Sequence, residues 1–161
     1  ARESQTIFQP KLEVRWADHQ IATGSNTGSM KELTMSGLTD NYLYMRNLKK
    51  SYKENDKIKF RVGARKRYLT KSVSSSVKSI TDSYISEGSG SYAIKDIATG
   101  EFIVPFSEYT LIGCDESGPY FNQWLNGFYS NREYKILLKL KYDDGQEQVF
   151  DDNFEFIVKR K

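Results

Sequence analysis

The sequence of 161 residues has one cysteine, Cys114, and one histidine, His19. A single thiol excludes an internal disulfide and any multi-cysteine zinc site, and it fits folding in a reducing compartment. A single imidazole excludes the His-pair metal motifs. No apolar run approaches the roughly 18 residues that a membrane span needs. The first residues, Ala1 to Gln5, hold no apolar signal core. The chain begins with Ala1, as a processed product or a piece of a longer protein would. Glycine-rich phosphate loops of either standard spacing are absent. So are internal repeats, coiled-coil heptads and clear helical periodicity. Hydrophobic residues make up 38%, below the roughly 45–50% of an average domain. The length fits one domain or two small ones, with a thin core or two one-sided sheets.

What the chain does have is alternation. In 57–62, Ile58, Phe60 and Val62 fall on one face and Lys57, Lys59 and Arg61 on the other. In 133–142, Tyr134, Ile136, Leu138, Leu140 and Tyr142 oppose Lys135, Lys139 and Lys141. A period of two is the mark of a half-buried strand. The same pattern predicts strands over 153–159, with Phe154, Phe156 and Val158 inward, and over 11–16, with Leu12, Val14 and Trp16. Further strands are expected over 41–47, 91–97, 101–106 and 120–126. Asp143-Asp144-Gly145 and Ala98-Thr99-Gly100 read as hairpin turns, and Glu116-Ser117-Gly118-Pro119 as another loop. Pro105 lies inside a strand-like run. It cannot donate to a ladder, so it belongs at an edge or a bulge. Residues 23–29 read as a loop, and the serine-rich 72–91 as a long excursion.

Charge is the next signal. The net charge is +3, but its distribution is uneven. From Lys49 to Lys71 ten basic residues stand against Glu54 and Asp56, which puts +8 in 23 residues and leaves −5 on the other 138. Alternation gathers Lys57, Lys59 and Arg61 on one side, with Arg65, Lys66 and Arg67 following. Three readings stand: a solvated strand face whose lysines discourage edge pairing, a surface for an acidic protein partner, or a nucleic-acid surface with Tyr52 and Tyr68 as stacking rings.

Catalytic chemistry has little support. Cys114 and His19 form the sole Cys/His combination, and nothing around either favours a nucleophile–base pair. The acidic pairs Asp115-Glu116, Asp143-Asp144 and Asp151-Asp152 suit solvated turns, with calcium binding or a two-carboxylate hydrolase as minor alternatives. Asp143-Asp144 is expected at a hairpin tip and Asp151-Asp152 at the far end of its strand. Aromatics reach 14%, with 11 tyrosines. Tyr42, Tyr44, Tyr120, Phe121 and Trp124 form clusters that read as core, interface or carbohydrate platform. Trp16 and Trp124 are expected to anchor the core.

Longer phrases carry a resemblance. Ser91-Tyr92-Ala93-Ile94-Lys95-Asp96 leads to Thr99-Gly100-Glu101 and Val104-Pro105-Phe106. Cys114-Asp115, Gly118, Tyr120-Phe121-Asn122, Trp124 and Gly127-Phe128 follow, and the end reads Phe150-Asp151-Asp152-Asn153-Phe154-Glu155-Phe156. With Gln9-Pro10-Lys11-Leu12-Glu13 and Trp16, this resembles virion structural proteins of tailed bacteriophages, in particular contractile-tailed marine phages. The likeness spans most of 9–160. It implies a non-enzymatic part of a virus particle with an immunoglobulin-like sandwich, and it carries over no catalytic residue.

The expectations are therefore these. The fold is all-β, an antiparallel immunoglobulin-like β-sandwich with a smaller N-terminal β region. Residues 1–9 form an extended arm, 10–50 the N-terminal region and 51–161 the sandwich. The protein is a structural component of a virion, made in the bacterial host cytoplasm. It contacts other virion proteins and copies of itself through Lys57, Lys59, Arg61, Arg65, Lys66 and Arg67. The alternative is a glycan- or nucleic-acid-binding module. No cofactor, metal, catalytic residue or membrane partner is expected, and nucleic acid is the weaker partner.

Overall fold

The computed structural model describes residues 19–23, 25–37, 40–69, 73 and 80–160. The expected arm 1–9, the strand over 11–16 and Trp16 lie outside them. The described residues form nine strands: β1 Asn41–Met45, β2 Ser51–Lys53, β3 Lys57–Lys66, β4 Gly90–Asp96, β5 Phe102–Val104, β6 Gly113–Asp115, β7 Gly118–Trp124, β8 Arg132–Lys141 and β9 Glu147–Lys159. They make a four-stranded sheet in the order β1-β3-β7-β6 and a five-stranded sheet in the order β2-β9-β8-β4-β5. The all-β sandwich read from alternation is what forms.

Alternation places the core. Phe60, Val62 and Leu43 from the first sheet are fully buried, as are Tyr134, Ile136, Leu138, Leu140 and Val158 from the second. Rings meet between the sheets: Phe60 lies 5.8 Å from Phe156, and Tyr92 stacks on Phe121 at 3.8 Å. Each fully buried side chain of this size contributes about 1.5–3 kcal/mol by leaving water. Leu33 and Met35 join the same core, and β1 pairs antiparallel with β3.

The turns follow their chemistry. Gly145 has φ +85° in the β8–β9 hairpin and Gly100 has φ +76° between β4 and β5, a region that glycine enters without a Cβ penalty. Pro105 directly follows β5, the edge strand of its sheet, and a register shift lies between Ile94 and Lys95.

Two expectations need correction. The sandwich is not wholly antiparallel, because β2 runs parallel to β9. Asp151-Asp152 does not sit at a strand end. Residues 147–159 form one strand, with Ile136 opposite Phe154 and Leu138 opposite Phe150, so Asp151, Asp152 and Asn153 bulge out opposite Leu137. Asn153 takes φ +56° there. The bulge adds two residues, so the alternation stays in phase and Phe150, Phe154, Phe156 and Val158 all reach the core.

Candidate interaction face

Register builds a cation–aromatic lattice on the outer face of the four-stranded sheet. Lys57, Lys59, Arg61 and Arg65 project outward from β3. Tyr42 stands opposite Arg65, Tyr44 opposite Gly63, Tyr120 opposite Arg61 and Trp124 opposite Lys57. The Lys59 ammonium lies 4.1 Å from the Tyr120 ring centre and the Arg61 guanidinium 5.5 Å. Arg65 and Arg67 both cover Tyr42, at 5.3 and 5.6 Å. Lys57 lies 5.2 Å from the Trp124 ring. Each contact joins a cation to the negative face of a π system.

Carboxylates from distant segments pin the lattice. Arg61 donates to Asp115 and, at 3.2 Å, to the Gly118 carbonyl. Lys59 donates to the other Asp115 oxygen at 3.3 Å, and the Ser117 N–H to Asp115 at 2.9 Å. The Arg61 hydrogen bond holds the Asp115 carboxyl below its ordinary pKa, against a smaller opposing effect of burial. Arg46 pairs with Asp82 at 3.3 Å, and the Tyr44 hydroxyl donates to Asp82 at 2.7 Å. Arg67 pairs with Asp40 at 3.4 Å. Asp115, Asp82 and Asp40 each hold at least one of the cations on this face.

Of the six residues singled out in the sequence, the structure brings Lys57, Lys59, Arg61 and Arg65 onto one face and folds Arg67 back over Tyr42. Lys66 is out of phase with them and exposed. Three aromatic readings change. Trp124 is no core anchor: it is 46% exposed, because the β7 register sends Phe121 inward and Tyr120 and Trp124 outward. Tyr52 is no stacking platform: its ring packs edge-on against Phe60 at 5.5 Å and Phe156 at 5.6 Å. Tyr68 is open, at 74% exposure. Asp115 was read only as half of an acidic turn pair, and Asp82 and Arg46 were not singled out, because their partners lie far along the chain.

The other candidates stay apart from this face. Cys114 is buried, and burial pushes its thiol up to about 11, the opposite of an activated nucleophile. Its backbone N–H donates to the Gln20 carbonyl at 2.9 Å, while the buried His19 Nδ1 has no hydrogen-bond partner among the described residues. Lys135 sits among the bulge acids, 3.1 Å from Asp151 and 3.7 Å from Glu155, and donates to Asn153 at 3.5 Å. These acids therefore face an ammonium. Among the described residues no group of three or more His, Cys, Asp or Glu side chains is arranged to hold a metal. Glu32 lines a cleft of about 320 Å³ with Thr34, Ser36 and Asp143; its carboxylate accepts from Ser86 at 2.6 Å and Tyr84 at 3.3 Å.

Compared with known family models, curated proteins and solved structures, the chain has no significant match.

Proposed function

We propose that the chain is a non-enzymatic structural component of a tailed-phage virion, acting through protein–protein contacts in the capsid, neck, tail or fibre attachment. Its partners are other virion proteins and further copies of itself, and its immunoglobulin-like wiring is part of the same proposal. The observation that supports a binding role over chemistry is the outer face of the four-stranded sheet. It presents Tyr, Trp, Arg and Lys side chains already ordered by Asp115, Asp82 and Asp40. Tyr and Arg are enriched at protein interfaces, and side chains ordered beforehand lose less entropy on docking. Tyr42 and Tyr120 carry cations over their rings, which argues against open platforms for sugars or bases. The assignment to a particle rests on the phrase-level resemblance.

The test is quantitative peptide mass spectrometry on gradient-purified particles of a phage that encodes the chain. Peptides at a fixed ratio to the major capsid protein are expected, and the ratio separates an abundant capsid or tube role from a ring or fibre of few copies. Absence from clean particles overturns the proposal.

A further inference from the structure

The two outer faces of the sandwich layer their charges in opposite order. On the four-stranded sheet the cations stand outermost. The Arg46 side chain is 43% exposed against 15% for Asp82, and Lys59 is 45% exposed against 24% for Asp115. Arg67 and Asp40 are about equally open, and Arg61 lies down beside Asp115. Arg65 completes the row over Tyr42. Its guanidinium donates to the Lys66 and Arg67 carbonyls at 3.1 and 3.3 Å. Among the described residues it has no carboxylate at ion-pairing distance.

The outer face of the five-stranded sheet inverts this order along β9. Lys135 pairs with Asp151 and Glu155, and Lys139 with Glu147. The two lysines are 21% and 20% exposed, whereas Asp151, Glu155 and Glu147 are 50%, 47% and 47% exposed. The ammonium groups lie beneath and the carboxylates face water. Asp152, exposed on the same bulge, has no cation at ion-pairing distance among the described residues. The strip ends past Glu155, where the strand carries Lys159. The lengths of the two rows match. Lys59 to Arg65 covers six positions of β3, and Glu147 to Glu155 covers the six positions from Lys141 to Lys135 on β8, because the bulge absorbs two. Each is roughly 20 Å at about 3.3 Å per residue.

We infer that the chain associates with itself head to tail, the cation face of one copy docking on the β9 acid strip of the next. The two rows lie on the outer faces of different sheets, so they cannot meet within one chain. A second copy supplies the complement of each. Complementary potentials fix the register of such a contact and speed encounter. Val149, exposed within the strip, and Trp124, exposed within the cation face, add apolar contact. The contact is heterologous, so it leaves one unused face at each end and builds a ring or an open stack. The inference rests on the reading of the chain as an assembling component and names the partner of its cation face.

The test is sedimentation velocity on the full chain across a concentration series, at low and at high salt. The wild-type chain is expected to form species larger than a monomer at low salt and to lose them at high salt, since exposed charges make the contact. Arg65→Glu and Asp152→Lys should each weaken self-association about tenfold. Mixed in equal amounts they should associate again, because the first keeps its acid strip and the second its cation face. Glu87→Lys, the same charge change as Asp152→Lys in the exposed turn before β4, should match the wild type. If Arg65→Glu fails to fold, Arg65→Gln takes its place with the same direction expected. A wild-type chain that stays monomeric at about 1 mM, association indifferent to salt or to both reversals, or a mixture that stays apart overturns the inference. Poly-L-glutamate binding by a monomeric chain would assign the cation face to a different acidic protein. Particle composition is measured separately, so failure here and failure of the virion reading are told apart.

Discussion

The Tyr44 ring lies across Gly63: a Cβ on the glycine would come within 2.2 Å of the ring's Cζ. The ring cannot swing away freely, since its hydroxyl is bound to Asp82 at 2.7 Å and its face stacks near Tyr42 at 5.9 Å. Gly63 therefore serves the lattice by lacking a side chain. Gly63→Ala is expected to destabilise the fold by about 1–3 kcal/mol, as overpacking does. In the Tyr44→Ala background the same change should be nearly silent. Urea denaturation of the four members of this double-mutant cycle measures the coupling.

Asp115 makes the lattice sensitive to acid. Its pKa is lowered in the folded state, chiefly by the Arg61 hydrogen bond. The stability it contributes is present above the unfolded carboxyl pKa of about 4 and is lost as pH falls through the lower folded value. Asp96 acts in the same sense, through Arg132 and the Ala98 and Thr99 amides. Thermal melts from neutral pH downward should show Tm falling below about pH 4, and Asp115→Asn should flatten that limb. Reversing Lys59 and Arg61 to Glu gathers carboxylates around Asp115, so that variant should lose stability before any interface is tested.

Cys114 should be slow to react. It is 1% exposed and its thiol is raised to about 11. Near pH 8 its thiolate fraction is on the order of a hundredfold below that of a free cysteine. Thiol labelling should be slow in buffer and fast in denaturing urea. Fast labelling of the folded chain would contradict the burial.

The two aromatic positions Phe60 and Trp124 should separate by stability. Phe60 is fully buried between the sheets and Trp124 is 46% exposed. Phe60→Ala is expected to destabilise by about 3–5 kcal/mol. Trp124→Ala should change stability by less than about 1 kcal/mol while removing a ring from the outer face of the four-stranded sheet. Equilibrium unfolding of both variants checks this, and a large loss in Trp124→Ala would restore it as a core residue.

Much of the scaffold was legible before any coordinates. The strands β3, β4 and β8, the inward residues of β3 and β8, and the Gly145 and Gly100 turns were read from alternation and turn chemistry. β2 and β6 were missed because three residues are too few to display a period. The continuity of β9 was missed because Asp151-Asp152-Asn153 breaks the alternation locally while register restores it. The basic stripe was visible as charge, but which of its members have partners was not.

The sequence by itself therefore determined the class of fold and the position of the basic run, since both are set by neighbours a few residues apart. Only the tertiary structure decided what the charges do. Arg61 meets Asp115 across 54 positions and Tyr44 meets Asp82 across 38. Lys53 meets Lys159 through a parallel pairing that no turn announces. Trp124 takes the outer face because of the register of β7 on β3. The physical reason is range: backbone periodicity and turn strain act locally, whereas ion pairs, ring stacking and like-charge repulsion depend on distances that register alone sets.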